Sequence, residues 1–89
     1  MRLSREKTNK ISEQILAFLF QKNPQPQFTS YVAKEVARDE EFIKSILKDL
    51  KGKNLVIEIK KNPLGMEYSR RSRWKLSPQA YTFYEKNQK

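Results

Sequence analysis

The sequence predicts a small, mainly helical α+β domain: three helices, then a two-stranded β-hairpin, then a closing helix. Three observations predict it. Apolar residues recur at helical spacing in three separate segments of the first half, each with its own start or stop signal. The stretch from 54 to 76 switches to strict alternation around an Asn-Pro-Leu-Gly turn. Ser77-Pro78 then restarts a helix, as an N-cap followed by the one interior position that tolerates proline. The chain has 89 residues, enough for one domain and not for two, so nearly every large apolar side chain is expected in a single core.

The elements follow in order. Residues 1–8 read as a basic, frayed tail, and 9–87 as the domain. Ile11, Ile15, Phe18 and Leu19 make one face of a first helix over Asn9–Lys22, with Thr8 as its cap, or Ser4 as the cap of a longer version. Pro24 and Pro26 in "NPQPQ" (23–27) forbid helix and favour an extended connector. Thr29 is placed to cap a second helix, Ser30–Ala37, with Phe28 stapled onto its first turns and Val32, Ala33 and Val36 turned inward. Arg38-Asp39 is a tight turn. Asp39 caps a third helix, Glu40–Lys51, with acids in its first turn where the helix dipole favours them. Phe42, Ile43, Ile46, Leu47 and Leu50 are its apolar stripe, and Gly52 its stop.

"NLVIEIK" (54–60) alternates, with Leu55, Ile57 and Ile59 expected inward and Val56, Glu58 and Lys60 outward. On the returning strand Ser72, Trp74 and Leu76 share one face, and Arg71, Arg73 and Lys75 the other. The quoted run "RRSRWKLSP" (70–78) sets the only tryptophan among four cations, and alternation separates them: Trp74 inward near Ile57, the charges outward. The last helix is expected over Pro78–Lys86, facing inward with Ala80, Tyr81 and Tyr84.

A short turn between the second and third helices, followed by a hairpin, is the order of a winged helix-turn-helix. The stretch "VAKEVARDEEFIKSILKDLKGKNLV" (32–56) resembles the core of the winged helix-turn-helix transcription regulators, the broad group that includes the MarR-like and PadR-like families. Val32, Ala33, Val36, Asp39, Ile43, Ile46, Leu47, Leu50 and Leu55 carry the resemblance, and "WKLSPQAY" resembles the end of the wing strand with the closing helix. Two positions depart from the pattern. Ala37 stands where many such proteins have a turn glycine, and Glu40 and Glu41 stand where positive or polar residues often approach DNA. The resemblance implies sequence-specific binding of double-stranded DNA by a small transcriptional regulator, with helix 40–51 in the major groove and wing 60–73 on the backbone or minor groove.

Charge points to the same partner class. Lys plus Arg number 19 against 10 acids, a net charge of +9. From Lys44 to Lys75 ten bases face only Asp49, Glu58 and Glu67, whereas from Met1 to Ile43 seven face six. Such a distribution fits a polyanion. Lys44, Lys48 and Lys51 form a stripe on the third helix with Ser45 beside it. Lys60, Lys61, Arg70, Arg71 and Arg73 gather at the wing, where they suit phosphates or a narrow minor groove and also guard an open sheet edge. Leu64 and Met66 at the wing tip read either as a minor-groove wedge or as an incidental exposed pair. Phe18, Phe20, Tyr81, Phe83 and Tyr84 either complete the monomer core or join two copies through the terminal helices, a homodimer that fits a palindromic site.

With no Cys and no His, disulfides, zinc fingers, thiol nucleophiles and His-based triads are excluded. There is no Gly-rich phosphate loop, so the expectation is no enzyme, no cofactor, no metal and no small-molecule ligand. No apolar run is long enough for a membrane span, and "MRLSREKTNK" lacks a signal-peptide core; a cytoplasmic protein, nucleoid-associated when DNA-bound, is expected. Two other readings stay open: a winged-helix module that binds protein within a larger complex, favoured by Glu40-Glu41, and RNA binding.

Overall fold

A computed structural model of the chain describes residues 5–60 and 72–87. The elements run α1 (Arg5–Lys22), β1 (Gln27–Phe28), α2 (Thr29–Val36), α3 (Glu40–Gly52), β2 (Val56–Ile59), β3 (Arg73–Leu76) and α4 (Pro78–Asn87). Three helices, an antiparallel sheet and a closing helix make a winged helix-turn-helix. The Asn-Pro-Leu-Gly turn, Ser4, Leu64 and Met66 lie outside the described residues.

The helices begin and end for local reasons, some of them other than expected. α1 is helical from the first described residue, Arg5, four residues before Asn9, and carries Glu6 near that end where the dipole favours an acid. Thr8 is therefore inside the helix rather than its cap. The α2–α3 turn is made by Ala37 in the left-handed conformation, at φ 56° and ψ 48°, which lets Arg38 N–H reach the Ala33 carbonyl at 3.0 Å. Asp39 caps α3 as expected, its carboxylate accepting from Phe42 N–H at 3.2 Å. Gly52 closes α3 from inside the helix, while the left-handed stop falls on Asn54, at φ 63°. Asparagine tolerates that conformation, so the glycine is not needed for it. Ser77 caps α4, its hydroxyl accepting from Ala80 N–H at 3.1 Å.

The sheet has three strands in the order β1-β3-β2, so the wing's returning strand is central. The third strand, β1, falls on the connector after Pro26, where Gln27 and Phe28 pair with Trp74 and Arg73. Phe28 is consequently an edge-strand residue and stands at the N-cap of α2 with no side-chain cap. Thr29 is the first helical residue instead of the cap. Its buried hydroxyl accepts the indole N–H of Trp74 at 2.8 Å.

β2 faces opposite to its expected direction. Val56 is 1% exposed and Ile57 39%. Register explains it: Val56 lies across from Leu76 and Glu58 across from Trp74, and directly paired residues share a face. The inner face of β3 is fixed by Trp74 and Leu76, so Val56 and Glu58 must follow them inward. Trp74 thus sits opposite Glu58, while Ile57 pairs with Lys75 on the outer face. Leu55 precedes the strand and is half-buried against the core.

The core lies between the inner face of the sheet and the helices. Ile11, Ile15, Leu16 and Leu19 of α1, Val32 and Ala33 of α2, and Ile43, Ile46, Leu47 and Leu50 of α3 meet Val56, Trp74 and Leu76 there. Phe20 stacks on Tyr81 at 5.3 Å and on Tyr84 at 5.8 Å, tying α1 to α4. Four of the five terminal-helix aromatics therefore serve the monomer core, and Phe83 alone of them stays 65% exposed.

Candidate nucleic-acid interface

The candidate interface is built on α3, which the turn at 37–39 holds against α2 by four buried side chains, Ile43, Ile46, Leu47 and Leu50. Burying that stripe turns the opposite face to solvent. Lys44, Ser45, Lys48 and Lys51 are all exposed there. At 1.5 Å of rise per residue the three lysines span about 10 Å. The face is graded along its length. Glu40 and Glu41 occupy its N-terminal turn and the three lysines lie further along, toward β2, where the exposed Asp49 is paired with Lys53 at 3.1 Å. Both ends suit the helix dipole, so the gradient also stabilises α3.

The sheet then brings Lys60 alongside. A shallow groove between the C-terminal half of α3 and the end of β2 is lined by Lys48, Lys51, Gly52, Asn54, Glu58 and Lys60. Lys44 faces a different depression, shared with Glu40, Glu41, Phe28 and Ser72. Ser45 lies on the same exposed face, but its hydroxyl donates to the Phe42 carbonyl at 2.6 Å, a bond within its own helix. Arg73 is half-buried on the outer face of the central strand, with its guanidinium 5.9 Å from the centre of the Phe28 ring. It stands apart from the α3 groove. Lys61, Arg70 and Arg71 lie outside the described residues.

Sequence reasoning missed Glu58. Its side chain is only 7% exposed, and its carboxylate accepts from Lys51 Nζ at 3.0 Å through one oxygen and from the Ser72 hydroxyl through the other. Burial opposes the charge. The hydrogen bonds from Ser72 and Lys51, with the charges of Lys51 and Lys60, outweigh burial and hold the carboxyl below its usual 4.5. The available signal was an acid between two isoleucines in a region otherwise dominated by bases. Alternation alone sent it outward.

Among the described residues no group of three or more acids could hold a metal ion, and no helix is long and apolar enough to cross a membrane. The groove between α3 and β2 is polar, open and lined by three lysines. Such a surface can exchange bound counterions for phosphates.

No family model matches the sequence, and no curated protein matches it. Solved structures do match. A ZitR variant from Lactococcus lactis superposes with TM-score 0.70 at 17% identity, covering 97% of this chain and 54% of that one. MepR from S. aureus in its DNA-binding conformation gives 0.68 at 16% identity, covering 89% and 54%. A MepR variant bound to an oligodeoxyribonucleotide gives 0.61 at 18% identity, covering 92% and 67%. The likeness establishes the shared fold, and the chain spans about half the length of the first two of these proteins.

Proposed function

We propose that the chain binds double-stranded DNA as the reading domain of a small transcriptional regulator, with α3 in the major groove and the wing segment 60–73 on the backbone or minor groove. The observation that carries this reading is the exposed stripe of Lys44, Lys48 and Lys51 on the second helix of the helix-turn-helix, with Lys60 brought into one groove with Lys48 and Lys51. Ser45 shares the face. Lys61, Arg70, Arg71 and Arg73 extend the cationic surface in sequence. The solved MepR structures lend support, one in a DNA-binding conformation and one bound to an oligodeoxyribonucleotide. A homodimer through the terminal helices fits this reading, with Phe83 the exposed aromatic available to it.

Binding of this kind is driven by counterion release. If about six phosphates are neutralised, log affinity falls with log salt at a slope near −5. Fluorescence anisotropy with a labelled duplex over a salt series measures it. Lys44→Ala and Lys48→Ala each weaken binding while leaving the thermal melt unchanged, because both side chains are exposed. A flat salt response, or no binding at low salt, refutes the reading. It turns attention to a protein partner, for which the exposed acids Glu40 and Glu41 are the specific support. Tighter binding to single-stranded or hairpin RNA than to duplex DNA would favour the RNA alternative.

A further inference from the structure

One charge at the candidate interface has the wrong sign for a polyanion and is nonetheless built in. Glu58 sits on the inner face of β2, at the rim of the core, directly across from Trp74. Both of its carboxylate oxygens are engaged, one by Lys51 and one by Ser72. The groove above it is lined by Lys48, Lys51 and Lys60. Lys44, Lys48 and Lys60 have no acid within ion-pair distance among the described residues, whereas Lys51 is held at 3.0 Å. Two opposite charges at that separation nearly cancel when viewed from a Debye length away.

We infer that Glu58 is an internal competitor of nucleic-acid phosphate for Lys51: it keeps that lysine's charge inside the fold and lowers the affinity of the interface below what the three lysines of α3 would give. The inference rests on the duplex-DNA reading above. Its physical purpose follows from what phosphate contacts do. They strengthen binding to every sequence alike, so an extra one raises non-specific affinity without adding discrimination. A fixed carboxylate at the rim of the core withholds one such contact while keeping Lys51 in place as a structural tie between α3 and β2.

The test is a salt series from about 50 to 200 mM with a labelled mixed-sequence duplex. Lys48→Ala makes the slope shallower by about 0.9, the loss of one phosphate contact. Lys51→Ala alone leaves the Glu58 carboxylate uncompensated beside the groove, so Lys51 is removed only together with the charge of Glu58. Glu58→Gln, which keeps an acceptor for Ser72 and removes the charge, makes the slope steeper by about 0.9. If salt-dependent contributions vanish near 1 M, that is about eightfold tighter binding at 0.1 M. Combining Glu58→Gln with Lys51→Ala restores the wild-type slope. Ser72→Ala removes a hydrogen bond without touching charge and leaves the slope unchanged, which separates competition for Lys51 from simple bracing of the strands. Trp74 fluorescence and a cooperative melt report that each variant is folded. Should Glu58→Gln fail to fold, the variant Lys51→Met with Glu58→Met, which removes both charges and keeps the bulk, decides: a wild-type slope supports the inference, and a slope shallower by about 0.9 overturns it. If the wild type binds and the variant lacking both charges has a slope shallower than the wild type by about 0.9, or if a folded Glu58→Gln binds no tighter, the inference is overturned and the duplex reading stands. If the wild type binds no duplex at 50 mM, both fall together.

Discussion

The hydrogen bond between Trp74 and Thr29 offers a test of how this small core is held. Trp74 has no solvent exposure, and its indole N–H meets the Thr29 hydroxyl at 2.8 Å across 45 residues of sequence. The bond joins the central strand to the first residue of α2, so it fixes the sheet against the helix-turn-helix. Thr29→Val keeps the volume and removes the acceptor. The indole N–H is then buried and unsatisfied, at a cost of about 1–3 kcal/mol. For a domain of this size that lowers Tm by about 4–8 °C per kcal/mol. Trp74→Phe removes the donor and part of the ring, and costs about 2–3 kcal/mol from the void and the stranded hydroxyl. In the Trp74→Phe background a valine at 29 meets an apolar ring, and Thr29→Val should cost no more than about 0.5 kcal/mol. The cycle therefore yields a coupling of about 1–2 kcal/mol, read from urea melts followed by far-UV circular dichroism. Trp74→Ala sets the upper bound, at about 3–5 kcal/mol out of a total near 5–13 kcal/mol. Equal costs of Thr29→Val in the two backgrounds would show that the hydroxyl and the indole do not interact, and would refute this tie between the sheet and α2.

Three further outcomes follow from particular backbone and register features. Ala37→Gly should raise stability by about 0.5–1 kcal/mol, because relief of the left-handed penalty of about 1–2 kcal/mol exceeds the entropy glycine adds to the unfolded chain; a thermal melt that does not move would contradict the φ of 56°. Ile57→Thr should stay within about 0.5 kcal/mol and Val56→Thr should cost about 1–3 kcal/mol, since only the second buries a hydroxyl; the reverse order in denaturant melts would mean that β2 is turned over. Glu58 has a folded pKa below its usual 4.5, so the stability it contributes is present above the unfolded value and is lost as pH falls through the lower folded value. The stability difference between wild type and Glu58→Gln should accordingly shrink as urea melts are taken from neutral pH down past that range, and a difference that stays constant would mean the carboxylate gains nothing from Lys51 and Ser72.

How much of this was legible in the sequence depended on whether a local signal had a competitor. The Asp39 and Ser77 caps, the apolar stripe of α3 and the inward Trp74 were readable, because cap chemistry and helical periodicity act within a few residues. The exposure of Lys44, Lys48 and Lys51 followed from that stripe without further information. The direction of β2 was not readable. Leu55, Val56, Ile57 and Ile59 give apolar residues on both faces, and only Glu58 breaks the tie, toward the wrong side. A carboxylate points outward unless a cation and a donor await it, and both partners here, Lys51 and Ser72, come from other elements. Thr29 was misread for the same reason. Its side chain had two possible uses, capping α2 or accepting from Trp74, and the second depends on a strand pairing 45 residues away. β1, only two residues long, carries no periodicity to read.

The tie at Glu58 also explains why a chain so rich in cations can place β2 against the basic face of α3 at all. Lys48, Lys51 and Lys60 line one groove, and three ammonium groups gathered there repel one another. A partly hydrated surface weakens that repulsion but does not remove it. One carboxylate set at the rim of the core lowers that cost, most for Lys51 at 3.0 Å and less for Lys60. Had the same acid stood at position 57, on the outer face opposite Lys75, it would have left the groove uncompensated. The position of Glu58 is thus decided by the charges across from it and not by its own hydropathy. A surface designed by patterning alone would send it to solvent, with a less stable junction between α3 and the sheet and one more lysine free to hold any phosphate that approached.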